Sequence, residues 1–220
     1  MQGRRNFRGG SRVHRRPTSR RRCEGNRNMD DERVVKVVKG FFSSLHEGLA
    51  ALAIDPSAIH ARTSLGETPL HFLCVENQID AVQALIQRGA DVNTVNEVGS
   101  TPLSDACSLA YLDLVRLLLA SDAVLWLDGQ HDPTLHQAVR GGDVEIVRLI
   151  LDAGANVNEL ADLSEAPLHL AVEDDKVEIA ELLLARGADP ALKRIFDESA
   201  LDVALLHGSE RCLALLSTRH

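Results

Sequence analysis

A chain of 220 residues can hold one or two domains, and 45% hydrophobic with 25% charged residues is a globular composition that excludes full disorder. Only 3% of residues are aromatic, so a core must be built from Leu, Val, Ile and Ala; four cysteines are too few for a disulfide scaffold, and no apolar run approaches the roughly 18 residues of a membrane span. The net charge of −8 is unevenly held: ten of the 24 Lys+Arg and one of the 32 Asp+Glu lie in residues 1–28, leaving +9 there and −17 on the rest.

Residues 1–29 read as a disordered Arg-rich tail. Phe7 and Val13 stand nearly alone among polar residues, without helical period, and cannot offset the chain entropy of ordering. Three roles stay open. Clustered arginines neutralise phosphates, as in a nucleic-acid-binding arm. An Arg-rich, acid-poor stretch also suits a targeting segment. The third is no folded role, with Met29, followed by Asp30-Asp31-Glu32, as an alternative start. No apolar stretch follows the arginines, so a secretory signal is not expected. The default compartment is then the reducing cytoplasm, or a nucleus if the source is eukaryotic, with free thiols.

Two helices are predicted next, near Arg33–Ser43 and Leu45–Ile54, and residues 30–66 read as a degenerate N-terminal capping repeat. From residue 67 a period takes over. Thr68-Pro69-Leu70-His71 returns as Thr101-Pro102-Leu103-Ser104, Pro133-Thr134-Leu135-His136, Ala166-Pro167-Leu168-His169 and Ser199-Ala200-Leu201-Asp202. The anchoring Leu falls at 70, 103, 135, 168 and 201, with spacings of 33, 32, 33 and 33. Three positions later stand Leu73, Ala106, Ala138, Ala171 and Ala204; fifteen positions later stand Leu85, Leu118, Ile150, Leu183 and Leu216. Gly89-Ala90-Asp91, Gly154-Ala155-Asn156 and Gly187-Ala188-Asp189 close three of the units.

This pattern resembles the ankyrin repeat, whose signature includes T-P-L-H-x-A at a 33-residue period. The resemblance implies an all-α repeat solenoid of stacked helix-turn-helix units with hairpin-like connections. About five repeats are expected (67–99, 100–131, 132–164, 165–197 and 198–220). Elementary physics supports the same unit. Thr or Ser before Pro caps a helix whose first position tolerates proline. The helix, 69–77 in the first unit, ends near Asn77, Gly142 or Gly208, and Gly89, Gly154 or Gly187 stops the second helix in a left-handed cap. One departure is expected to alter a turn: after Leu118 the loop is one residue short, Asp122 replaces the glycine, and Trp126 stands where Asn93 and Asn158 stand elsewhere.

His71, His136 and His169 share one repeat position, without the spacing of a metal site; the resemblance implies that their rings bridge backbone groups of neighbouring turns. Cys74 and Cys107 also share a position. Adjacent helices lie too far apart for a disulfide, so both read as small buried fillers, as does Cys212. No nucleophile elbow, phosphate loop or dinucleotide fingerprint is present. The chain reads as no enzyme, without cofactor or metal.

What remains is recognition of a protein partner. Members of the family usually bind partners on the concave side, against hairpin tips and inner helices. By position this assigns Leu65, Glu67 and Glu76, then Glu97, Val98 and Tyr111, then Asp132 with Arg140. It continues with Asp162, Leu163, Glu165, Glu173 and Asp174, and ends with Ile195 and Phe196. Apolar tips rimmed by acids suggest a binding surface unless they tuck under neighbouring hairpins, and the acidity of the body favours a basic partner. Charge reversal at Glu165, Glu173 and Asp174 is expected to weaken binding without unfolding. The alternative is an adaptor that binds nucleic acid through the tail while the repeats tether a protein. A monomer off the membrane is expected in either case.

Overall fold

The computed structural model of the chain describes residues 20–218, with side chains from Met29 onwards. Among the described residues there are twelve α-helices and no strand. They come in pairs: α1 (Arg20–Ser43) with α2 (Leu45–Ile54), α3 (Pro69–Val75) with α4 (Ile79–Ile86), and α5 (Pro102–Ser108) with α6 (Leu112–Leu119). Then follow α7 (Thr134–Gly141) with α8 (Val144–Asp152), α9 (Pro167–Glu173) with α10 (Val177–Ala185), and α11 (Ala200–His207) with α12 (Glu210–Ser217). The odd-numbered helices stack on one another in sequence, and so do the even-numbered ones. The result is an all-α repeat in two layers.

Each short helix starts as its residues dictate. Thr101 Oγ1 accepts from the Ser104 amide while Ser104 Oγ accepts from the Thr101 amide, and Ser199 and Asp202 repeat the exchange. Asn77, Gly142 and Gly208 hold left-handed backbone between the paired helices. The second helices end at Gly89, Gly154 and Gly187; at the matching Asp122 the backbone is left-handed too, with φ 62°, a conformation Asp adopts at modest cost. The helices cannot bury their faces alone. A continuous core from Val37 to Leu216 runs through the stack, almost entirely of Leu, Val, Ile, Ala and Cys, with Phe41 its one fully buried aromatic.

At the N-terminus α2 matches the expected bounds, but α1 is longer than expected. It begins at Arg20, inside the segment read as disordered tail. Pro17 is the last helix breaker before it, and Arg and Glu propagate a helix once Val34, Val37 and Val38 anchor it. Residues 1–19 lie outside the described residues. Arg33 staples α1 to the end of α2 through Asp55, at 2.8 Å, and Asp31 accepts from the Ser64 amide. Asp31, and Asp30 through Arg33 at 2.9 Å, are therefore structural.

The connections between helix pairs are hairpin-like tips. Backbone bonds close them from Thr63 to Glu67, Asn96 to Ser100, Ala161 to Glu165 and Arg194 to Glu198. Neighbouring tips are tied by Glu97 N to Leu65 O at 2.8 Å, His131 N to Gly99 O at 2.9 Å and Ile195 N to Leu163 O at 2.9 Å. A second tie lies at the other side of the loops. Asn93 donates to Asp122 O and accepts from the Val124 amide, and Asn158 does the same with Gly187 O and the Asp189 amide. Trp126, at the equivalent place, makes no such bond among the described residues.

Candidate functional site

The tips present their apolar side chains to solvent. Leu65, Val98, Leu163, Ile195 and Phe196 are between 56% and 77% exposed, so none tucks under its neighbour. Leu163 and Ser164 both sit at positive φ, 60° and 59°, which turns Leu163 outward at the cost of backbone strain. Glu97 and Asp162 are exposed beside these apolar groups.

The carboxylates assigned from the sequence fall into two groups. In the C-terminal half all but the exposed Asp162 are already paired. Arg140 bonds Asp132 and lies 3.6 Å from Glu165. Arg194, with its side chain only 15% exposed, reaches Glu198 at 2.6 Å, Glu173 at 3.1 Å and Glu165 at 3.8 Å. His207 stands 3.9 Å from Glu173, and Asp174 pairs with Lys176 at 2.7 Å. Burial pushes the Glu165 carboxyl up, with Arg140 and Arg194 opposing the shift. Reversing Glu165, Glu173 and Asp174 would therefore set new cations against Arg140, Arg194 and Lys176, a repulsion that bears on the fold as well as on binding.

In the N-terminal half the assigned acids are free of such pairing. Among the described residues Glu67, Glu76 and Glu97 have no ion-pair partner, and neither has Asp105, which the sequence reading passed over. Asp105 is half-buried on α5, at the repeat position that Phe72 holds on α3. Burial, and then the charge of Glu67, push its carboxyl up to about 6, against a hydrogen bond from Ser100. The clue in the sequence was an acid where the other repeats carry Phe72, Gln137, Leu170 and Val203. Tyr111 is placed apart: it caps α6, half-buried against the core, at the far end of α5 from the tips. Glu76 and Asp174 likewise lie at the C-terminal ends of α3 and α9.

The histidines act within the fold. The Nε2 atoms of His136 and His169 bond Glu165 O at 2.8 Å and Leu192 O at 3.0 Å, while Nδ1 of His71 and of His169 accepts from the first amide of its own turn. Burial lowers all three, His71 to about 4. Cys74, Cys107 and Cys212 are buried free thiols. Among the described residues no group of three or more His, Cys, Asp and Glu could hold a metal ion, and no helix is long and apolar enough to cross a membrane.

Residues 40–127 and 135–220 each match the family model for ankyrin repeats in three copies. The chain belongs to the ankyrin repeat family. The unmatched residues 128–134 of this ankyrin repeat chain fall on the tip that follows the shortened loop. It is similar to ankyrin repeat protein OPG189 of Variola virus, 36% identical over 91 residues covering 40% of this chain and 16% of the relative. It is also similar to SMC5-SMC6 complex localization factor protein 1 of Bos taurus, 32% identical over 131 residues, covering 57% of this chain and 12% of the relative. A third relative is the probable E3 ubiquitin-protein ligase XBOS33 of Oryza sativa subsp. japonica, 32% identical over 127 residues, covering 50% of this chain and 24% of the relative. The matched parts thus span at most a quarter of these relatives. Ankyrin repeats are generally protein–protein interaction modules.

Proposed function

We propose that this chain is a non-catalytic recognition module that binds a protein partner carrying basic groups across its tips and inner helices. The observation that carries the reading is the row of tip residues, Leu65, Val98, Leu163, Ile195 and Phe196, held in solvent beside carboxylates. Apolar groups rimmed by charge are what a binding surface offers, and a rigid repeat scaffold loses little ordering entropy on association. Unpaired acids at Glu67, Glu97 and Asp105 supply the charge that a basic partner complements.

The test is affinity capture from native lysate followed by mass spectrometry. One bait is the full chain. The other is the full chain with Leu65, Val98, Leu163 and Phe196 changed to Ser, all exposed positions whose change spares the core. Proteins held by the first and lost from the second support the reading. The same set retained by both baits would remove the tips from the binding surface.

A further inference from the structure

The cap carries an apolar groove that its own packing leaves open. Val35 and Phe42 lie seven apart on one face of α1 and are exposed, at 42% and 51%. With Val34, Val38 and Phe72 they wall a groove between α1 and α3 of about 210 Å³, where Lys39 contributes only its aliphatic stem. An outermost repeat is expected to turn a polar face to water, so this stripe stands out. Phe72 also connects the groove to the acids, because Asp105 occupies the same position one repeat further along the stacked α3 and α5.

We propose that the partner docks at this cap end, with apolar side chains in the groove of Val35, Phe42 and Phe72 and an arginine or lysine over Glu67 and Asp105. The assignment rests on the recognition function proposed above and narrows its surface to the cap end, away from Leu163, Ile195 and Phe196. Charge complementarity selects this occupant. Glu67 and Asp105 face each other's charge without an ion-pair partner among the described residues, whereas Glu165, Glu173 and Glu198 share Arg194. A cation arriving beside Asp105 relieves that repulsion, while one arriving beside Glu165 meets Arg140 and Arg194. Lys39 at the rim repels a cation from the opposite end, which sets the direction of the bound segment: apolar residues toward α1, basic residues toward α5.

Selection of a phage-displayed library of random peptides on the full chain tests this, followed by fluorescence anisotropy with the enriched peptides. Apolar residues next to Arg or Lys are the expected consensus. Phe42→Asp and Asp105→Asn should each weaken binding about tenfold or more, with circular dichroism unchanged, while Phe196→Ser and Leu206→Ser change it by less than about twofold. Binding weakened only by Phe196→Ser or Leu206→Ser would overturn the location and leave the recognition function standing. Peptides without a cation would overturn the assigned partner chemistry. Peptides recovered only after removal of residues 1–19 would show that the chain's own N-terminal segment competes for this surface, which also defeats the proposal. Absence of any enrichment would defeat both this assignment and the function on which it rests.

Discussion

Gly141 ends α7 at the closest approach of two inner helices. A Cβ placed there would lie 2.2 Å from the carbonyl oxygen of Cys107 and 3.1 Å from that of Ser108. Both obstacles are backbone, so relief requires α5 and α7 to part by nearly an ångström rather than a side chain to swing away. Overpacking of this kind costs about 1–3 kcal/mol, and the helical gain of Ala over Gly returns up to ~1 kcal/mol. Gly141→Ala should therefore destabilise the chain by about 1–2 kcal/mol and lower Tm by roughly 3–6 °C. Urea unfolding followed by far-ultraviolet circular dichroism reads the change. Leu109→Ala, at the matching exposed position on the preceding inner helix, should cost much less. A urea midpoint for Gly141→Ala equal to or above that of the parent would refute hard contact between the two helices.

Lys176 Nζ donates to Val139 O and Arg140 O, each at 3.0 Å, at the last turn of α7. Lys176→Met leaves those carbonyls without a cation and should cost about 1–2 kcal/mol in urea unfolding. Burial raises the Cys74 and Cys107 thiols strongly and Cys212 to about 12, so a thiol reagent should leave all three unmodified until the chain unfolds. The histidines set an acid limit. Their folded values lie below the unfolded one, so the unfolded chain binds more protons and Tm should fall as pH drops from about 6.5 toward 4. Asp105 acts with the opposite sign. Its raised value stabilises the folded chain below about pH 4 relative to pH 6, so its contribution is lost as pH rises through that window. Asp105→Asn should raise stability at pH 7 by about 1–2 kcal/mol and flatten that part of the Tm–pH curve.

The period made most of the fold legible. The spacing of Leu70, Leu103, Leu135, Leu168 and Leu201 locates the inner helices, because a buried position recurs once per stacked unit and nothing else imposes so long a phase. Left-handed Gly and Asn located the helix ends for a similarly local reason. The start of α1 was hidden, since helix propagation into Arg20–Asn28 depends on an anchor further along the chain. The surface was legible only in part. Exposure of Leu65 or Val98 follows from the tip's place in the repeat, but charge pairing depends on which residues of neighbouring units meet. Arg194 lies 29 and 21 residues from Glu165 and Glu173, and no period announces that it would sit between them. A net charge of −17 on the body thus says little about any one patch.

The middle of the stack carries two irregularities. Removing a residue from the loop after α6 shifts the phase of everything that ties that loop to the next. Trp126 stands where an Asn would bridge, and no backbone bond joins the tip around His131 to that of Leu163 among the described residues. Separately, α7 lies against α5 so closely that Gly141 meets the Cys107 carbonyl, while the other repeats carry Glu76, Leu109, Asp174 and His207 at that position. The lost ties lie between the loops before α7 and α9, whereas the close contact of Gly141 lies between α5 and α7, where the Gly99–His131 and Asn93–Asp122 ties are kept. In a repeat protein, where each unit contacts only its neighbours, a substitution at this junction acts on the coupling between the two halves. The apolar groove and the free Glu67, Glu97 and Asp105 on one side are separated from the acids paired with Arg140 and Arg194 on the other by an interface that a single methyl group strains.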